Sequence, residues 1–163
     1  MIRKAYKYRI YPNAAQKEYF SRVFGCVRFF YNKSLSDMCE IYKSTGKNEN
    51  ITPARYKKDY PFLKEVDSLA LCNAQLARNA AFKSFYRKQN AFPKYKSKRN
   101  DQSYTTNNQG SVKFSSNARY ISIPKCPRLR IKKHRNFNGE IKSITISKTT
   151  DEKYYISSTS KEI

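Results

Sequence analysis

Residues 2–12 read IRKAYKYRIYP and residues 13–20 read NAAQKEYF, and the change of period between them decides the fold. Over 2–10 the side chains alternate: Ile2, Lys4, Tyr6, Tyr8 and Ile10 fall on one side, Arg3, Ala5, Lys7 and Arg9 on the other. That is the pattern of a half-buried strand with one basic face. Pro12 ends it, and Asn13 followed by Gln16 supplies an N-cap with its capping-box partner for a helix starting at Ala14. Phe20, Val23, Phe24, Val27, Tyr31, Leu35, Met38 and Tyr42 then recur every three or four residues as far as Gly46, which predicts one long amphipathic helix. Thr52 and Pro53 open a short helix that Tyr60-Pro61 ends. A third starts at Asp67, with Leu69, Cys72, Leu76 and Ala80 as its apolar stripe, widened by Phe82, Phe85 and Tyr86.

After Pro93 the period returns to two. Short alternating runs at 112–114, 119–123, 129–132, 141–148 and 153–157 are separated by Asn, Gly, Pro and Asp151-Glu152 turns, which predicts a small antiparallel sheet. The strand at 2–10 has no neighbour in sequence to pair with and is unstable alone, so it joins that sheet. The expected fold is α+β: a small antiparallel β-barrel formed by 1–12 and 92–163, with a helical lobe, 13–91, inserted after its first strand.

The 163 residues carry 34 Lys and Arg against 12 Asp and Glu, a formal charge of +22. The excess is spread evenly, with 18 basic and 7 acidic residues in 1–91 and 16 and 5 in 92–163, so it is not a basic tail. Such a chain repels itself unless its partner is a polyanion. Aromatics make up 15% of it, with 14 Tyr and no Trp, a composition suited to stacking on bases. An anionic membrane surface is the competing partner. However, the N-terminus lacks the apolar core of a signal sequence and no apolar run approaches the ~20 residues of a membrane span. The expected site of action is the cytoplasm, on the nucleoid when DNA is bound. Cys26, Cys39, Cys72 and Cys126 are scattered, with no CxxC pair and a single histidine, His134, in the chain, which excludes a zinc ribbon or finger. The first three fall in helical apolar patterns and read as buried thiols. No metal and no cofactor is expected.

Residues 92–110, FPKYKSKRNDQSYTTNNQG, begin cationic and end in hydroxyls and carboxamides. Lys94, Lys96, Lys98 and Arg99 suit phosphates, and Thr105 to Asn108 offer donors and acceptors for base edges. A solvated loop is the plain alternative.

Three blocks carry a family resemblance: KAYKYRIYPNAAQKEYFSRVFGCVRFFYNKSL, EVDSLALCNAQLARNAAFKSFYR and FPKYKSKRNDQSYTTNN. In this order and spacing they resemble the N-terminal half of the transposon-encoded OrfB/TnpB proteins, RNA-guided DNA nucleases long described as transposases with a helix-turn-helix domain. The resemblance implies a wedge-like β-barrel interrupted by a helical recognition lobe. These hold guide RNA from the transposon end and read a short motif beside a double-stranded DNA target. By approximate alignment the reading positions are Pro53 and Tyr56; Ser68, Leu69 and Cys72; and Thr106, Asn107 and Asn108. Arg28, with Tyr31 and Asn32, forms a further family-typical patch, read equally well as helix packing or as a nucleic-acid contact. Lys7, Arg9, Arg130, Lys132, Lys133 and Arg135 are the expected guide-RNA backbone contacts, with a merely solvated basic face as the rival.

In the family, cleavage belongs to a later RuvC-like domain, and this chain stops about where that domain begins. Such a site gathers carboxylates around two divalent ions. Here the carboxylates fall in helices and turns, none in a GxDxG-like context. A binding half without nuclease activity is therefore the first expectation. The alternatives are one component of a split enzyme whose RuvC half is encoded separately, and a sequence-specific helix-turn-helix DNA binder.

Overall fold

The computed structural model describes residues 2–132 and 140–162. β1 (Ile2–Tyr11) is followed by α1 (Ala14–Thr45), α2 (Ala54–Lys57), a 3-10 turn (Pro61–Glu65) and α3 (Ser68–Tyr86). Then come β2 (Gln102–Asn107), β3 (Lys113–Phe114), β4 (Tyr120–Ile123), β5 (Cys126–Lys132), β6 (Glu140–Lys148) and β7 (Tyr154–Glu162). The capping box forms as the sequence predicts: Gln16 N donates to Asn13 Oδ1 and Asn13 N to Gln16 Oε1, each at 2.9 Å. Gln16 Nε2 also donates to the carbonyls of Pro127 and Arg128, so the cap fastens the start of α1 to β5. Gly46 ends α1 at φ 71°, a left-handed conformation that glycine adopts without a Cβ penalty.

β1 lies in the middle of one seven-stranded antiparallel sheet of order β2-β6-β7-β1-β5-β4-β3, between β7 and β5. The helices thus interrupt the sheet after its first strand, as expected. The sheet is open, whereas a closed barrel was expected. Among the described residues no pairing joins the edge strands β2 and β3. β3 is only two residues long, and β2 is tied instead to α3, so neither edge carries the ladder that closure requires.

Two local expectations are corrected. QSYTTN at 102–107 is not loop but the edge strand β2, paired along its length with β6; the Thr105 and Thr145 hydroxyls meet at 2.8 Å, and Tyr104 enters the core. The buried face of α3 is Ala70, Leu71, Ala74 and Arg78, while Leu76 is 63% exposed and Cys72 is exposed. The small alanines let α3 lie close against α1 and β2. Arg78 is fully buried there because its guanidinium donates to Ile51 O, Asn50 Oδ1 and Asn79 Oδ1 and lies 5.7 Å from the Phe30 ring. Burial pulls its pKa below the ordinary guanidinium value. Of the thiols, Cys26 and Cys126 are buried, Cys39 half-buried and Cys72 exposed, so buried packing describes only part of the set.

One core joins helices and sheet. Phe20 of α1 is fully buried, its ring 6.2 Å from Tyr104 of β2 and 6.1 Å from Tyr154 of β7. Tyr8, Ile10, Leu129, Ile144, Ile146 and Ile156 fill the same layer, each such side chain contributing about 1.5–3 kcal/mol of burial. The Asp151-Glu152 dipeptide sits in the β6–β7 turn, as read from the sequence, with Glu152 at φ 63°.

Candidate nucleic-acid interface

The side of β1 turned away from this core carries Lys7, Arg9 and Tyr11, because alternation sends Tyr8 and Ile10 inward. Strand register extends that side into rows. Ser103 of β2, Ser147 of β6, Tyr155 of β7, Arg9 of β1 and Lys132 of β5 lie in one line across five strands. Tyr11, Arg130 and Tyr120 form a second line across β1, β5 and β4. The cations and rings interleave: Lys7 Nζ is 4.7 Å from the Tyr155 centroid, and the Arg9 guanidinium is 5.2 Å from Tyr11 and 5.6 Å from Tyr155. Arg130 lies 5.8 Å from Tyr11, and Arg128 4.8 Å from Tyr120. A hollow of about 680 Å³ opens here, lined by Tyr11, Arg119, Tyr120, Arg130 and Lys132. Half of the face is thus hydroxyls, on β2, β6 and β7; the other half is cations among tyrosines. Such a surface has the charge to attract phosphates and rings on which bases could stack.

Lys7, Arg9, Arg130 and Lys132 come together on this face. Lys133 and Arg135 lie outside the described residues. The rings of Tyr11, Tyr120 and Tyr155 and the cations Arg119 and Arg128 were not singled out from the sequence. Tyr11 was within reach of the period-two pattern; the others needed the register.

The positions expected to read bases divide. Tyr56 is 4% exposed and its hydroxyl donates to Asp37 at 2.6 Å; burial and that carboxylate raise its pKa. Pro53 is buried beside it. Thr106 is 1% exposed and donates to Asp67 Oδ2 at 2.5 Å. Asn108 is occupied in a turn, giving Nδ2 to Ile141 O and accepting from the Gly110 and Val112 amides. Asn107 is exposed, and its Oδ1 accepts from Asn73 Nδ2 at 2.7 Å. Asn73, one turn into α3, is a residue the sequence reading passed over; finding it requires the phase of the helix. Ser68, Leu69 and Cys72 occupy the same end of α3, Ser68 and Cys72 exposed and Leu69 half-buried. The result is a junction where one carboxamide from a helix and one from a strand edge are held together, leaving Asn73 Oδ1 and Asn107 Nδ2 without partners among the described residues.

Between junction and helices runs the cationic segment 92–101. Asn32 binds it through its backbone, accepting from Lys96 N at 2.7 Å and donating to Lys96 O at 3.0 Å, and Lys96 Nζ lies 4.9 Å from the Tyr31 ring. Arg28 donates to Gln102 Oε1 at 2.8 Å. The Arg28, Tyr31 and Asn32 patch therefore anchors this segment, while Lys94, Lys98 and Arg99 remain exposed.

Residues 1–47, comprising β1 and α1 through Gly46, match a helix-turn-helix domain model of OrfB-type transposon proteins. Two relatives are named "Putative RNA-guided DNA endonuclease". One, from Streptomyces pristinaespiralis, is 32% identical over 105 residues, 60% of this chain and 26% of that protein. The other, InsQ of Escherichia coli K12, is 29% identical over 167 residues, 94% of this chain and 39% of that protein. The chain thus resembles the OrfB/TnpB proteins, through its first 47 residues in the domain model and along most of its length in InsQ. It spans well under half the length of these two relatives. The virulence protein VsdF of Salmonella dublin is also similar, 32% identical over 113 residues and 93% of its own length. Among the described residues no helix is long and apolar enough to cross a membrane.

Proposed function

We propose that residues 1–163 form a nucleic-acid-binding unit of a TnpB-like RNA-guided protein. In this reading the sheet face holds a structured guide RNA, and the Asn73–Asn107 junction reads a motif beside a double-stranded DNA target. The helices of 13–91 act as the recognition lobe and the strands of 1–12 and 92–163 as the wedge. The observation that carries it is the interleaving of Tyr155, Arg9 and Lys132 with Tyr11, Arg130 and Tyr120 across one face of the sheet, in a chain of charge +22. Electrostatic grip with ring stacking suits single-stranded and splayed segments of a folded RNA.

We further propose that these residues alone do not cut. Asp101 and Asp151 are each engaged at the β6–β7 turn by other partners: Asp101 Oδ1 accepts from Thr150 N at 3.1 Å, and Asp151 is bound by Thr149 and Lys153. Glu140 stands at the opposite end of the nine-residue β6, paired with Lys142. Carboxylates so separated do not converge on two metal ions.

Sequencing the RNA that copurifies with the protein tests the first part: one enriched structured species is expected, and RNA in proportion to total cellular RNA contradicts it. Incubation with that RNA, a matched DNA target and magnesium or manganese tests the second. Binding without cleavage is expected, and metal-dependent cutting that copurifies with the chain contradicts it. Cutting restored by a RuvC half added in trans would make the chain one component of a split enzyme.

A further inference from the structure

Toward the far end of α3 from the Asn73–Asn107 junction, its helical lining running from about 9 to about 20 Å along the axis from Asn73 at 1.5 Å per residue, lies a hollow of about 550 Å³. Its wall is Met38 together with Phe82 and Tyr86, whose rings stack with centroids 6.3 Å apart at 21°. Asn50 and Asn79 face it, and Lys83 and Arg87 stand at its rim. The rim carboxylate Glu49 is already paired with Arg55 at 2.8 Å, so the local charge available to a ligand is positive.

The buried Arg78 orients the carboxamides. Asn50 Oδ1 accepts from Arg78 Nη2 at 2.7 Å, from Gln75 Nε2 at 3.3 Å and from Asn79 Nδ2 at 3.4 Å, and Asn79 Oδ1 accepts from the same Nη2 at 3.0 Å. A guanidinium has only donors, so both oxygens must turn toward it. Asn50 Nδ2 is left as an outward donor with no partner among the described residues. An aromatic wall, a preset donor and two cations together match a nucleotide whose base is out of its helix: ring on ring, base acceptor on Asn50, phosphate on Lys83 and Arg87. An apolar ligand would leave the Asn50 donor unpaired, and a second copy of a +22 chain would be repelled.

We propose that this hollow binds one unpaired nucleobase of an RNA or DNA strand, separately from the sheet face and the motif-reading junction. The inference rests on the nucleic-acid-binding reading above. Because the chain has no Trp, Tyr86→Trp places a single reporter in the wall. Short single-stranded DNA and RNA oligomers and an abasic oligomer of the same length are titrated at fixed salt, with binding read independently by the anisotropy of a label on the oligomer.

Base-bearing oligomers should quench the indole and the abasic one should not; the sugar type that quenches identifies the source. In the same background Asn50→Asp, which keeps an oxygen on Arg78 but removes the outward donor, should weaken base-dependent binding about tenfold and abasic binding little. In the absence of the reporter, Tyr86→Ala should erase the anisotropy difference between base-bearing and abasic oligomers. Equal quenching by the abasic oligomer, or indifference to both substitutions, overturns the pocket while leaving nucleic-acid binding intact. No anisotropy change with any oligomer overturns both.

Discussion

Thr106 on the edge strand β2 donates its hydroxyl hydrogen to Asp67 Oδ2 at 2.5 Å, while the other oxygen of Asp67 caps α3 by accepting from Leu69 N at 3.0 Å. One buried carboxylate thus binds helix to sheet at the place where Asn73 and Asn107 meet. Thr106→Val should leave that oxygen unpaired and cost about 1–3 kcal/mol, read as a lower urea midpoint, whereas Thr106→Ser should retain most of the stability. An unaltered midpoint in the valine variant would show that the bond does not hold the junction.

Asn32 should matter to segment 92–101 rather than to chemistry. Asn32→Ala removes both bonds to the Lys96 backbone. Faster amide exchange and protease cleavage confined to 92–101 are expected, with a global loss of about 1–2 kcal/mol. Protection unchanged there would mean that the Lys96–Tyr31 contact suffices.

On the sheet face, grip and stacking should separate. Each of Lys7, Arg9, Arg130 and Lys132 replaced by Ala should reduce the slope of log affinity against log salt by about 0.7–0.9 if it neutralises one phosphate. Tyr155→Ala should weaken RNA binding by about 1–3 kcal/mol with the slope unchanged. Filter binding over a salt series distinguishes these outcomes, and a wild-type affinity insensitive to salt would contradict the polyanion reading altogether.

Discrimination among target-adjacent motifs should fall by about 1–3 kcal/mol in Asn107→Ala and in Asn73→Ala, and less than additively in the double variant, because the two carboxamides act as one unit. Replacing Lys94 and Lys98 with Ala should instead lower every duplex affinity alike. Competition across a randomised duplex library, with guide RNA present, measures both. An equal loss for all duplexes in Asn107→Ala would remove the junction from the reading role.

Alkaline pH should unfold the chain. Burial pushes the Cys126 thiol from 9.0 up to about 11 and, with the Asp67 charge adding to it, the Tyr19 phenol from 10.0 up to about 12. The folded state therefore keeps protons that the unfolded chain releases, so stability falls wherever the unfolded state binds fewer protons. Their contribution is fully present below about pH 9 and is lost between about pH 9 and 12. Urea midpoints measured under reducing conditions across that range should decline steadily, and a flat profile would contradict the burial of these groups.

The sequence by itself determined whatever rests on neighbours. The alternation of 2–10, the Asn13–Gln16 capping box, the length of α1 to Gly46, the Asp67 cap and the turn at Asp151-Glu152 all depend on interactions within a few residues, and the composition alone carries the +22 charge from which the polyanion reading starts. β2 escaped because Gln102 to Asn107 is polar; it becomes a strand only through its ladder with β6. The phase of α3 escaped because alanines and a buried arginine, not leucines, face inward, and Arg78 is tolerable there only because Asn50, Ile51 and Asn79 surround its guanidinium. Likewise the alignment of Tyr155, Arg9 and Lys132 depends on register between strands more than a hundred residues apart. Long-range pairing decided these features, since the free energy that selects them comes from contacts between segments that no local pattern encodes.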